Sequence, residues 1–129
     1  YQEFKKVNCE IYAISTDTHF AHKTWHDISE NISKIEYPMI GDPTHTLTYD
    51  FDVFDENDGL AQRGSFIIDP EGKIVVYEVN AGNVGRNAEE LLRRLHACQF
   101  VYEHGNNVCP AKWKLGEKTI QTSIENVGK

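Results

Sequence analysis

Residues 7–15 read VNCEIYAIS, with apolar, β-branched or small side chains on both faces of an extended chain. That is the pattern of a strand covered from two sides, and it predicts a central parallel strand. Thr16, Asp17 and Thr18 follow with oxygen-bearing side chains suited to capping helix amides, and residues 19–32 carry helical spacing with Phe20, Trp25 and Ile28 as the large apolar members. A short apolar segment at 37–40 runs into Gly41-Asp42-Pro43, where Asp42 is placed to cap a helix that has Pro43 at its first position and ends near Phe51. Residues 52–62 are acidic and contain Asn57, Asp58 and Gly59, so a solvated loop is expected. Two strands, 65–68 and 73–79, flank Asp69-Pro70-Glu71-Gly72, a turn with Pro at its second position and Gly where a positive φ is needed. They predict an antiparallel hairpin. Residues 86–103 place Leu91, Leu95, Cys98 and Tyr102 on one helical face, and Gly105 stops that helix. Residues 106–129 show little periodicity and are expected to drape over the domain or over a partner.

In chain order, a helix end at 1–6, a parallel strand, a helix, a hairpin and a terminal helix form the second half of an α/β, thioredoxin-like fold, with 37–51 as an insertion. Residues 1–105 are accordingly expected to be one domain and 106–129 its tail. The opening strand of that fold and the start of its next helix have no counterpart here, so an N-terminal portion is expected upstream of Tyr1. Their junction is where such folds normally hold a reactive thiol, because helix N-terminal amides stabilise a thiolate.

Composition narrows the function classes. A chain of 129 residues with 40% hydrophobic content buries one modest core. The formal charge of -7 leaves no basic field for a phosphate backbone, so no nucleic-acid partner is expected. The longest apolar stretches, 66–68 and 74–77, are far shorter than a membrane span, and no charged-then-apolar leader opens the chain; no membrane partner is expected either. Cys9, Cys98 and Cys109 form neither a CxxC nor a zinc-ribbon spacing and read as reduced thiols of a cytoplasmic protein.

Among candidate chemical groups, Cys109 stands out. It lies in Val108-Cys109-Pro110-Ala111-Lys112-Trp113-Lys114, outside regular structure, with two lysines near enough in sequence to favour a thiolate. The plain alternative is a surface cysteine without a task. Cys98 on the apolar helix face and Cys9 within the strand read as small hydrophobic filler. Arg63, just ahead of the hairpin, can lower a neighbouring thiol's pKa, although a solitary arginine is more often a surface residue. His19, His22 and His26 share a helical face and can in principle hold a metal, but no acidic or cysteine ligand is fixed nearby. Residues 50–58 lack the spacing of a calcium loop, and Gly82-Asn83-Val84-Gly85 reads as a turn.

Three strings taken together are specific: Ser15-Thr16-Asp17-Thr18-His19-Phe20 followed by His22-Lys23 and Trp25-His26; Met39-Ile40-Gly41-Asp42-Pro43; and Val108-Cys109-Pro110-Ala111-Lys112-Trp113. With them the chain resembles, over essentially its whole length, the C-terminal two-thirds of bacterial 2-Cys peroxiredoxins of the alkyl hydroperoxide reductase type. The resemblance implies a thiol peroxidase that needs no flavin or metal of its own. It implies that Cys109 matches the resolving cysteine and Arg63 the active-site arginine. It also implies a homodimer joined near residues 73–79 that assembles into a decamer through Phe20, Ala21 and Trp25, with a flavoprotein disulfide reductase or thioredoxin-like reductant as partner and hydroperoxides as substrates. The Thr-x-x-Cys motif of the peroxidatic cysteine has no match in these residues, so the 129-residue chain alone is expected to lack a peroxidase cycle.

Two other classes compete. A non-catalytic assembly or binding module would have to expose an apolar strand edge, which disfavours it. A metal-binding protein would use the histidine face.

Overall fold

The computed structural model describes residues 1–128 and divides into two compact units, Tyr1–Ser65 with Glu78–Gly85, and Phe66–Tyr77 with the chain from Arg86 onward.

The first unit opens with helix α1 (Gln2–Lys6), which buries Phe4. The chain then turns back on that helix: the Val7 and Asn8 amides donate to Phe4 and Lys5 carbonyls, and Asn8 adopts a positive φ of 56°. Strand β1 is therefore only Ala13–Ser15, paired in parallel with β2 (Met39–Gly41) in the register Ala13↔Met39, Ile14↔Ile40, Ser15↔Gly41. The sequence pattern had predicted a strand over all of 7–15. Pairing begins only where the Ala13 amide reaches the Pro38 carbonyl, at 3.0 Å, so Cys9 lies in a loop and not in a strand.

Helix α2 (His19–Ile28) starts where expected, with the Thr18 hydroxyl accepting from the Ala21 amide at 3.3 Å. It ends before residue 32 because Ser29 turns extended, and a separate 3₁₀ turn follows at Ile32–Lys34. Its large apolar residues point outward: Phe20 is 72% exposed and Trp25 50%, whereas the buried member is His22. The large apolar members named from sequence are thus not the side chains this helix buries.

The step from β2 into the next helix depends on Gly41. A Cβ there would sit 2.8 Å from the Asp17 carbonyl oxygen and 2.9 Å from the His19 amide nitrogen, both backbone atoms. Helix α3 is Thr46–Asp50, so Pro43 lies outside it, because His45 takes a left-handed φ of 62° at the N-cap. Asp42 still caps the helix from a distance. Its carboxylate accepts from the Leu47 amide (3.2 Å), the Thr48 amide (2.8 Å) and the Thr48 hydroxyl (2.7 Å). Burial works to raise the Asp42 pKa, and these donors outweigh it, leaving the pKa lowered.

Residues 52–62 are more ordered than a solvated loop. β3 (Phe54–Asp55) and β4 (Leu60–Ala61) pair antiparallel, and the turn between them is built by Asp55 and Asp58 side chains accepting from the Asn57 and Leu60 amides, each at 2.9 Å. The expected hairpin follows as β5 (Arg63–Ile68) paired with β6 (Ile74–Asn80). At its tip Asp69 accepts from the Glu71 and Lys73 amides at 2.9 Å, and Gly72 takes φ 84°.

In the second unit, helix α4 (Ala88–Glu103) begins where Asn87 accepts from the Glu89 and Glu90 amides. Leu95 is its buried residue, but Tyr102, placed by spacing on the same face, is 52% exposed. Beyond α4 the chain is not featureless: β7 (Asn107–Val108) and β8 (Ile120–Gln121) pair antiparallel, and Trp113 between them is 2% exposed. Its ring centroid lies 5.3 Å from that of Phe100 on α4, and its indole N–H donates to the Glu117 carbonyl at 3.0 Å. A buried aromatic of this size is what anchors a segment with so little regular structure.

Candidate functional site

Cys109 follows β7 directly, half-buried and not in a disulfide. Its thiol is directed at the Ala97 carbonyl on α4, with sulfur and oxygen 3.9 Å apart. Burial pushes the thiol pKa up, and the nearby guanidinium of Arg93 partly offsets this by favouring the thiolate. This corrects the reading from sequence in two respects. The charge that acts on the sulfur is Arg93, not Lys112 or Lys114, and the net shift is upward.

Arg93 is held by what surrounds it. Its Nε and Nη2 donate to the two Glu90 oxygens at 2.7 and 2.8 Å, and its Nη1 donates to the Trp113 carbonyl at 2.8 Å. Arg94 adds a second charge to Glu90, at 2.9 Å. The hydrogen bond from Arg93 is the chief reason that the Glu90 carboxyl is pulled down to about 2. Sequence reasoning missed Arg93. The available signal was Glu90-x-x-Arg93-Arg94, a spacing that puts both arginines one turn from the glutamate.

Arg63 stands exposed at the first position of β5, and its Nε donates to the Gly82 carbonyl at 2.6 Å. That contact ties the turn 82–85 to the hairpin base within the first unit and fixes the direction of the guanidinium. Cys9 and Cys98 are half-buried, with thiol pKa values raised first by burial; at Cys98 the charge of Cys109 adds to this. Phe20, Ala21 and Trp25 are all exposed on α2.

The three histidines do share a groove, with Lys23, Ile35, Tyr37 and Met39. Two of them already use a ring nitrogen within the protein. His22 Nε2 meets the Ser15 hydroxyl, and His26 Nε2 lies 3.1 Å from the Ile35 carbonyl. Among the described residues no group of three His, Cys, Asp or Glu side chains is gathered for a metal.

The likeness to solved structures and the family match place the chain in the thioredoxin-like α/β class of the peroxiredoxins. The chain belongs to the AhpC/TSA family, whose model matches residues 1–77, while the model of the C-terminal domain of 1-Cys peroxiredoxin matches residues 97–128. Alkyl hydroperoxide reductase C of Bacillus subtilis is 53% identical over 129 residues, all of this chain and 69% of the relative; that of Staphylococcus saprophyticus is 51% identical over 129 residues, again all of this chain and 68% of the relative. Among solved structures, Enterococcus faecalis AhpC superimposes with a TM-score of 0.83 at 53% identity, covering 85% of this chain and 66% of that one. The reduced 2-Cys peroxiredoxin of Plasmodium vivax reaches 0.90 at 28% identity, covering 96% of this chain and 65% of that one. The chain thus spans about two thirds of the length of these relatives.

Proposed function

We propose that this chain serves a homo-oligomeric thiol peroxidase that reduces hydrogen peroxide and organic hydroperoxides, with Cys109 as its resolving cysteine. The observation that carries the reading is a half-buried thiol with a guanidinium beside it, in a chain that matches alkyl hydroperoxide reductase C along its whole length. A peroxidatic thiolate, from sequence outside these 129 residues, attacks the O–O bond and becomes a sulfenic acid as alcohol or water leaves. Cys109 of the partner subunit then attacks that sulfur, expelling water and closing an intersubunit disulfide. A flavoprotein disulfide reductase or thioredoxin-like reductant returns both thiols, so no flavin or metal is required within this subunit.

Arg63 is assigned to the peroxide site, where a fixed guanidinium would orient the peroxide oxygen and favour the attacking thiolate. Dimers form along β6, and the exposed α2 residues Phe20, Ala21 and Trp25 join dimers into a decamer; two aromatics this open to water on one helix are what such a contact requires. Residues 106–129 are assigned as the tail that presents Cys109. Three thiols outside disulfides fit a cytoplasmic setting, and among the described residues no helix is long and apolar enough to cross a membrane.

The test is a non-reducing gel of the complete protein after peroxide. The oxidised protein is expected to run as a dimer and Cys109→Ser as a monomer. A dimer that persists in Cys109→Ser and maps to Cys98 or Cys9 would remove the assignment.

A further inference from the structure

Cys98 is not used by the reading above, yet it is next in sequence to the residue of α4 whose carbonyl the Cys109 thiol faces. The Cys109 thiol faces the Ala97 carbonyl at 3.9 Å, and Cys98 is the next residue on the helix. Both cysteines are half-buried, and neither is in a disulfide. Four residues beyond Cys109, the Trp113 carbonyl is held by Arg93 of α4, so the stretch that carries Cys109 is fastened to the helix at two points. The thiols also sense each other electrostatically, since charge on Cys109 contributes to raising Cys98.

We infer that Cys98 and Cys109 close an intrachain disulfide, a second oxidised state that withdraws Cys109 from pairing between subunits. The inference builds on the resolving role proposed for Cys109, but its chemistry needs only this unit and a hydroperoxide. The Cys109 thiolate attacks a peroxide oxygen; an S–O bond forms, the O–O bond breaks, and alcohol or water leaves with the thiol's proton. The Cys98 thiolate then attacks the Cys109 sulfur; the S–S bond forms as the S–O bond breaks, and the departing hydroxide leaves as water with the proton of Cys98. The two thiols together give up two electrons to the hydroperoxide. Burial raises both thiols, which disfavours the attacking thiolate, and with no reductant to return the thiols the step occurs once per chain. Closure needs the two Cα atoms within about 7 Å.

The experiment exposes the reduced 129-residue chain to hydrogen peroxide, blocks remaining thiols by alkylation and maps the peptides. Trypsin leaves both cysteines in one peptide, since no Lys or Arg lies between them; cleavage at Glu103, the one acidic residue between them, separates the two halves. The expected result is a monomer in which the halves stay joined until reduced, and complete loss of that linkage in Cys98→Ala and in Cys109→Ala. In the complete protein, Cys98→Ala is expected to increase the intersubunit dimer at a given peroxide dose. Full alkylation of Cys98 in the wild-type chain, with Cys109 carried to sulfinic acid or paired only between chains, would overturn the inference without needing any variant to fold. Failure of the resolving role reads differently: the intersubunit band is absent from the complete protein while the intrachain linkage remains.

Discussion

Arg93 donates from Nη1 to the carbonyl of Trp113 at 2.8 Å, and this bond joins α4 to the stretch that carries Cys109. The same guanidinium is the charge that favours the Cys109 thiolate against the effect of burial. One side chain therefore both joins α4 to the stretch around Trp113 and favours the Cys109 thiolate against burial.

Replacing it separates those effects from the rest of the fold. In Arg93→Gln the positive charge is gone, burial is unopposed, and the Cys109 pKa rises further above that of an ordinary thiol. At a fixed pH below that pKa the thiolate fraction falls, so alkylation of Cys109 by iodoacetamide is expected to slow several-fold, with the pH–rate profile displaced to higher pH. Profiles that superimpose would show that Arg93 does not act on the sulfur.

Trp113 anchors the stretch between β7 and β8, buried to 2% exposure against Phe100. Trp113→Ala is expected to cost about 3–5 kcal/mol in urea unfolding and to leave the Glu117 carbonyl without its indole donor. Proteolysis at Lys112 and Lys114 should accelerate. A Trp113→Phe variant, which keeps ring burial but not the N–H, is expected to recover most of the loss.

Gly41 is required by a close approach and not by its φ angle. In Gly41→Ala the new methyl meets the Asp17 carbonyl oxygen and the His19 amide nitrogen at 2.8 and 2.9 Å, so β2 must move away from the start of α2. Overpacking of this kind costs about 1–3 kcal/mol, to be read as a lowered melting temperature with the α2 helical signal retained. Unchanged melting would show that the backbone yields there at no cost.

The Glu90 carboxyl, lowered to about 2 chiefly by its hydrogen bond from Arg93, makes stability depend on pH with a definite sign. A depressed folded-state pKa contributes stability that is complete above the unfolded pKa of about 4.3 and is lost as the pH falls through about 2. The stability difference between wild type and Glu90→Gln is therefore expected to shrink as the pH is lowered across that window and to be flat from there to neutrality. The carboxylate is partly exposed, so salt should reduce the difference at every pH.

Short-range features were legible in the sequence because their hydrogen bonds close within a few residues. Asp69 with Gly72, Thr18 ahead of α2 and Asn87 ahead of α4 each satisfy amides two to four positions away, and no distant part of the chain has to be known to read them. The family, too, was readable from the three strings of residues quoted for it, and the family match agrees. What depended on tertiary structure were questions of which surface meets which. Helical spacing identified Phe20 and Trp25 as large apolar members of α2 but could not say that both are left open to water while His22 turns inward. Composition made 7–15 a strand, but a strand exists only where a neighbour supplies hydrogen bonds, and β2 supplies them from Ala13 onward. Lys112 and Lys114 are close to Cys109 along the chain, yet the charge that acts on the sulfur comes from Arg93, because folding brings α4 alongside the tail and Coulomb interaction follows distance in space.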